Sequence, residues 1–206
     1  IASDLTLIVL EILVAQIKQW RAAGLTTVPV AFNINADDVR EKRLLPFLSN
    51  LLHDAGVEPS AVECELTETS VVADMRAAKQ LFDQLVDLGV PTAVDDFGTG
   101  YSSLVHIIDL PIRVVKIDRS FVQTMEICKV SNAIVQAIVA MTNAMGAVCV
   151  AEGVETYNQL AKIRLHGCNL AQGYLFDQPL APEAVEARLR ETNVYHNQID
   201  QGIALV

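Results

Sequence analysis

The chain has 206 residues, a formal net charge of −10 at pH 7 and 51% hydrophobic residues. This length and composition predict one globular domain with a real core and exclude an intrinsically disordered chain. The acidic balance argues against binding to polymeric nucleic acid, which requires a basic surface. A small anionic ligand remains compatible with it, provided that metal ions or a local basic group offset the charge.

The N-terminal segment is hydrophobic, but Glu11 interrupts it and it is too short to span a bilayer. It predicts a buried helix that ends at Gly24, and the start at Ile1 indicates a piece of a longer protein. We recognise no signal peptide. We expect a cytoplasmic location, either of a free protein or of the cytoplasmic domain of a membrane-anchored one. The scattered cysteines predict free thiols in a reducing compartment, mostly buried: Cys64, Cys128, Cys149 and Cys168.

Short apolar runs alternate with helical patterns along the whole chain. The runs predict six strands, at residues 28–35, 61–67, 91–96, 113–118, 147–152 and 169–174. Helices are predicted at 39–55, 75–88, 102–108, 131–145, 156–166 and 182–191. This alternation predicts parallel βαβ units, arranged either as a doubly wound sheet or as a (β/α) barrel.

The alternation of side chains within the strands favours the barrel. Glu63, Glu65 and Thr67 share one face of their strand, and the residues between them are apolar. Lys116 and Asp118 show the same pattern. A doubly wound sheet is covered by helices on both faces and would have continuous apolar strands. A polar face near the strand ends fits the interior of a TIM-like barrel.

Polar side chains lie near the carboxyl end of each predicted strand, where a barrel would bring them into one ring around its mouth. A single residue of this kind is more often a helix cap or a solvated loop residue. Six consecutive strands that all end this way are harder to explain by capping. The set is Asn33, Asn35, Glu65, Glu68, Asp95, Asp96, Lys116, Asp118, Glu152, Glu155 and Gln172.

So many carboxylates require cations close by, and oxygen ligands select Mg²⁺ or Mn²⁺. Adjacent Asp95 and Asp96 could serve two ions about 4 Å apart, the arrangement used in phosphoester hydrolysis. Lys116 would orient the attacking water or stabilise phosphate charge. Zinc is disfavoured because no histidine ends a predicted strand, whether His53, His106, His166 or His196.

The segment after Asp96 contains Gly98 and Gly100, but the third glycine of a dinucleotide-binding fingerprint is replaced by Ser103. We therefore reject a nicotinamide site and predict a tight loop over the mouth, followed by a helix capped at Ser102 or Ser103. An enolase-type barrel also combines strand-end acids, a lysine and Mg²⁺. That family usually has a separate capping domain, for which this chain has no room.

The motifs AFNINA, ECELTET, VDDFGTGYSSL, VKIDRSFV, VAEGVET and QGYLFDQPL resemble the EAL domain family in family order, up to about residue 190. The resemblance implies a cyclic di-GMP phosphodiesterase that forms linear pGpG with two Mg²⁺ or Mn²⁺ ions. It implies metal ligands at Asn33, Glu65, Asp95, Asp96 and Glu152, with catalytic roles for Lys116, Glu152 and Asp95. It also implies supporting roles for Glu68, which anchors the glycine loop, and for Gln172, Glu155, Gly98 and Gly100.

The chain departs from the family at its N-terminus, where the Glu-Ala-Leu strand, the strand before it and a phosphate-contacting arginine are absent. Counting from the residues alone also gives six strands, whereas a closed barrel of this class has eight. We expect an incomplete barrel domain at residues 1–192 and a C-terminal tail at 193–206. The alternatives are a trimmed domain and a naturally degenerate barrel.

Two functions remain open on the sequence. The first is the phosphodiesterase, which fits because each family metal or catalytic position in these six strands is kept. The second is a non-catalytic cyclic di-GMP receptor or interaction module. The resemblance further implies a homodimer and allows fusion to sensory or GGDEF domains.

Overall fold

The structure is a computed structural model that describes residues 2–25, 27–100, 107–195 and 204–205. It is a parallel sheet flanked by helices, with seven strands in the order β1 to β7. The strands are β1 Val30–Ile34, β2 Val62–Thr67, β3 Thr92–Phe97, β4 Val114–Ile117, β5 Val148–Ala151, β6 Leu170–Ala171 and β7 Ala204–Leu205. The helices are α1 Ala2–Ala22, α2 Ala36–Arg40, α3 Leu44–Ala55, α4 Glu68–Ala73, α5 Met75–Leu88, α6 Arg119–Thr124, α7 Lys129–Ala144, α8 Tyr157–His166 and α9 Pro182–Tyr195.

Every neighbouring pair of strands is parallel, as the alternation of strands and helices predicts. The six predicted strands are confirmed, with bounds a residue or two shorter at most ends. Within the described residues β1 and β7 are the two edges of the sheet, so the TIM-like barrel is not closed. This agrees with the expectation of an incomplete barrel.

The two faces of the sheet differ as the strand alternation predicts. The outer face packs on the helices in a large apolar core that contains Phe32, Leu66 and Ile117. The inner face carries a much smaller apolar cluster, formed by Ala93, Val114, Val150, Val148 and Leu170. This cluster is the floor of the interior, and the polar side chains lie nearer the carboxyl ends of the strands.

The predicted helix at 39–55 is wrong as a single element, because the structure divides it into α2 and α3. Asn35 begins α2 with a capping box: its side chain accepts from the amides of Asp37 and Asp38, and the Asp38 carboxylate accepts from the Asn35 amide. The chain then becomes extended at Glu41 and starts again as α3. Short α4 and α6 were not predicted, since six residues are too few for a clear periodic pattern.

The predicted helix at 182–191 is longer in the structure. Helix α9 continues to Tyr195, and Ala204–Leu205 pairs in parallel with Leu170–Ala171. The predicted helix cap at Ser102 or Ser103 lies outside the described residues. No helix of the described part of the chain is long and apolar enough to cross a membrane. The four cysteines are free, and all except Cys128 are buried, as predicted.

Candidate active site

Lys116 lies at the centre of the polar cluster. Strand β4 directs it to the interior, where its side chain is only 11% exposed. Its Nζ lies 2.7 Å from Glu152 Oε1 on the β5 side and 3.0 Å from the carboxylate of Glu65 on β2. Asp95 Oδ1 lies 3.5 Å away. One buried ammonium group therefore holds together three carboxylates, which belong to β2, to β3 and to the residue directly after β5.

The two adjacent aspartates point into the same space, although neighbouring strand residues normally face opposite sides. The β3–β4 register shifts between Val94 and Phe97, and Asp96 has a left-handed φ of 54°. The Asp96 amide donates to Asp95 Oδ1 at 2.9 Å. As a result, Asp95, Asp96 and Glu152 each offer an oxygen within 4.8 Å of the others, a spacing that suits a metal ion.

The cluster changes the acidity of its members. Burial raises the pKa of Glu65 and of Glu152, and the nearby Lys116 only partly opposes this. Burial and then the charge of Asp95 raise the pKa of Asp96. Burial by itself would lower the pKa of Lys116, but Glu152 and Glu65 together outweigh it and raise that pKa, so the lysine stays protonated.

Glu68 anchors the glycine loop that follows β3. It is the first residue of α4 and only 2% exposed. Its Oε2 accepts from the Gly98 amide at 2.8 Å and from the Gly100 amide at 3.3 Å. A Cβ at Gly98 would lie 2.9 Å from the Phe121 ring, and one at Gly100 would lie 2.8 Å from Glu68 Oε1. A side chain at Gly98 would have to displace the Phe121 ring, and one at Gly100 would have to displace the Glu68 carboxylate that anchors the loop.

The remaining residues of the predicted ring have different surroundings. Asn33 and Gln172 have exposed side chains, on β1 and just after β6. Asp118 caps α6, where its Oδ1 accepts from the Ser120 amide at 2.9 Å and also from the Ser120 hydroxyl. Glu155 is exposed and accepts from Gln123 Nε2 at 2.9 Å, which ties it to α6. Asn35 caps α2, as described above, so its side chain serves that helix.

Two further residues of the site were not chosen from the sequence. Glu63 lies two residues before Glu65 on the same face of β2, and burial, then Glu65, raises its pKa. The alternation along β2 was the signal that could have identified it. Gly153 follows Glu152 in a left-handed conformation, and a single glycine in a sequence carries no comparable signal.

A parallel βα sheet with carboxylates and one lysine at the carboxyl ends of its strands defines a barrel-type domain with a candidate divalent-metal site. The sequence profile described as EAL domain matches residues 1–179. The chain belongs to the EAL domain family.

Relatives of known description agree with this assignment. Cyclic di-GMP phosphodiesterase PA2567 of Pseudomonas aeruginosa is 35% identical over 182 residues, which cover 88% of this chain and 31% of that protein. The MucR phosphodiesterase in complex with cyclic di-GMP has 35% identity and a TM-score of 0.84, over 88% of this chain and 74% of that one. The manganese and cyclic di-GMP complex of Klebsiella pneumoniae BlrP1 has 28% identity and a TM-score of 0.80, over 87% and 45%.

Proposed function

We propose that the protein is a phosphodiesterase that hydrolyses cyclic di-GMP to linear pGpG. The observation that carries this proposal is the cluster in which Lys116 and the carboxylates of Glu65, Asp95 and Glu152 converge at the strand ends. The relatives named above bind or hydrolyse cyclic di-GMP by their descriptions. Because the chain spans 31% of PA2567, the activity of the whole protein is part of the proposal.

The carboxylates fit a pair of divalent ions, for which we propose Mg²⁺ or Mn²⁺. Asp95, Asp96 and Glu152 already offer oxygens close enough to share an ion. We propose that Glu65 and Asn33 complete the set of ligands, since carboxylate and amide oxygens suit hard cations. Bound ions would offset negative charge on the phosphate and lower the pKa of a water molecule.

The protein's own groups would then divide the remaining work. Lys116, kept protonated by its carboxylate neighbours, would donate a hydrogen bond from Nζ to the phosphate or the attacking water. Glu152 would accept the proton of that water at a carboxylate oxygen, since its carboxylate lies beside Lys116 and within reach of the oxygens of Asp95 and Asp96. Asp95 would hold the ions and in this way help to position the attacking water.

We also propose supporting roles for the surrounding residues. Glu68 would keep the loop with Gly98 and Gly100 beside Asp96, and in a homodimer this loop would connect the subunit contact with the metal ligands. Gln172 would hold a water at the mouth, and Glu155 would act through its contact with α6. We propose that residues 1–192 are the barrel domain and residues 193–206 its tail, whose strand Ala204–Leu205 pairs with β6.

Two observations bear on the cellular setting of the domain: the description of a relative and the net charge of the chain. A relative, MucR, is described as a bifunctional diguanylate cyclase and cyclic di-GMP phosphodiesterase, so fusion to a GGDEF or sensory domain fits this chain. We propose that the domain faces the cytoplasm and does not bind polymeric nucleic acid, in keeping with its net charge of −10.

The test is an assay of pGpG formation by the full-length protein with Mn²⁺, in which the product is detected by chromatography. We expect turnover by the unsubstituted protein and inhibition by Ca²⁺. We expect Asp95→Asn to lose turnover and to remain folded. Asp83→Asn is the matched control, because Asp83 is an exposed aspartate on α5. Tight binding of cyclic di-GMP without any pGpG would instead support the receptor.

A further inference from the structure

Gly153 lies in the loop that leaves β5, directly after Glu152, and its φ is +67°. A Cβ at this position would lie 2.6 Å from Arg119 Cβ and 3.4 Å from Arg119 Cα. Real Cβ atoms do not approach each other so closely, and the obstructing atoms belong to the rigid first residue of α6. The β5 loop can therefore lie against α6 only because residue 153 has no side chain.

This contact is one of three between the same two segments of chain. Lys116 Nζ meets Glu152 Oε1 at 2.7 Å, and the Glu152 amide donates to the Ile117 carbonyl at 3.2 Å. The Gly153–Arg119 contact follows immediately along both segments. The distance that brings the lysine and the glutamate together therefore depends on how closely residue 153 packs on residue 119.

The far side of the loop is also fixed, so the loop has little freedom to move away from α6. The Val154 amide donates to the Gln172 carbonyl at 3.0 Å, and the Leu175 amide donates to the Val154 carbonyl at 2.9 Å. Gly173 leaves no room either, since a Cβ there would lie 2.3 Å from the Val154 backbone. A group added at residue 153 must therefore displace Glu152 or the start of α6.

We propose that Gly153 is a positioning residue that sets the approach of Glu152 to Lys116 through its packing on Arg119. This inference rests on the proposed phosphodiesterase activity of the site. Relief of a 2.6 Å contact requires a displacement of roughly 1 Å, and a misplacement of that size at a reacting group lowers a rate about 100-fold.

The experiment introduces Gly153→Ala into two backgrounds of the full-length protein, Arg119→Ala and Arg119→Gly. Both backgrounds lack the guanidinium group, but only Arg119→Ala keeps the Cβ that the new methyl group would strike. The left-handed strain of alanine at residue 153 is the same in both. The readouts are kcat and KM for cyclic di-GMP with Mn²⁺, the melting temperature, and hydrogen exchange of the Glu152 amide.

In the Arg119→Ala background we expect Gly153→Ala to lower kcat about 100-fold, with little change in KM, and to accelerate exchange of the Glu152 amide. In the Arg119→Gly background we expect most of both effects to disappear. Equal losses in the two backgrounds would overturn the proposal, because strain alone would then account for them. Unchanged kcat and unchanged exchange in Arg119→Ala would also overturn it.

The proposed function and the positioning role can fail separately. Absence of pGpG from the unsubstituted protein would count against the phosphodiesterase. The amide-exchange comparison needs neither substrate nor metal, so it still decides whether the Gly153–Arg119 contact holds Glu152 in place.

Discussion

Replacement of Lys116 by methionine tests the electrostatic description of the site most directly. Methionine fills a similar volume but leaves the three carboxylates without their shared ammonium group. Glu65 is the most enclosed of them, with a side chain only 5% exposed. In the metal-free protein, we expect Lys116→Met to lower the free energy of unfolding substantially.

The size of this effect follows from the burial of the groups. Removal of one partner from a buried ion pair costs about 3–5 kcal/mol, because the other charge remains buried and uncompensated. A domain of this length changes its melting temperature by about 2–4 °C for each kcal/mol. We therefore expect the melting temperature to fall by roughly 6–20 °C.

Lys79→Met is the matched control, because Lys79 forms a 3.0 Å ion pair with Asp83 on the exposed face of α5. Such surface pairs contribute less than about 1 kcal/mol. Both variants are measured by thermal unfolding at pH 7 with EDTA and again with excess Mn²⁺. If cations offset the same carboxylates, Mn²⁺ should raise the melting temperature of Lys116→Met more than that of the unsubstituted protein.

Two results would refute this reasoning. A Lys116→Met protein as stable as the Lys79→Met protein would mean that the carboxylates do not depend on the lysine. A large loss of stability that Glu65→Gln fails to relieve in the double variant would locate the cause elsewhere, since Gln removes the most enclosed charge.

Three further predictions concern the surroundings of the site. Glu68→Gln should lower the free energy of unfolding by about 2 kcal/mol, measured by denaturant unfolding, and should slow turnover. The reason is that a buried carboxylate that accepts hydrogen bonds from two amides is lost. Asn35→Ala should lower the free energy of unfolding by about 1 kcal/mol, because the cap of α2 is lost, and should leave the rate of pGpG formation unchanged. Asn33→Ala should instead weaken Mn²⁺ binding measured by calorimetry. Without metal, the raised pKa values of Glu65 and Glu152 should make the free energy of unfolding fall as pH rises from about 4.3 through those values. The Glu152→Gln variant should show a shallower fall. An equal slope in the variant and the unsubstituted protein would contradict this prediction.

The strands and their inner faces could be predicted because alternation is a local property of the sequence. Glu65 and Lys116 were assigned to one interior face from their parity alone, and the structure places them 3.0 Å apart. Burial on one face fixes the register of a strand, so these positions follow from the pattern. The break between α2 and α3 could not be predicted in this way, since it lies at the extended residue Glu41, which no side-chain period marks.

The contacts that loop residues make could not be predicted from the sequence, for a different reason. Glu155 follows the same strand as Glu152, three residues later, yet its carboxylate accepts from Gln123 on α6. The two glutamates are three residues apart and chemically identical, so only the path of the loop determines which group each carboxylate contacts. That path brings Gly153 close to Arg119, a residue 34 positions away in the sequence.

The paired aspartates show how a strand can present two neighbouring carboxylates to one site. In a regular strand, Asp95 and Asp96 would face opposite sides, and one of them would enter the apolar outer core. The register shift before Phe97 and the left-handed φ of Asp96 turn both toward the mouth. Such a conformation costs about 1–3 kcal/mol for a non-glycine residue and persists only where its surroundings hold it. Here Glu68 holds the next residues of the loop through the Gly98 and Gly100 amides, so the carboxylate on α4 stabilises the geometry that brings Asp96 to the site.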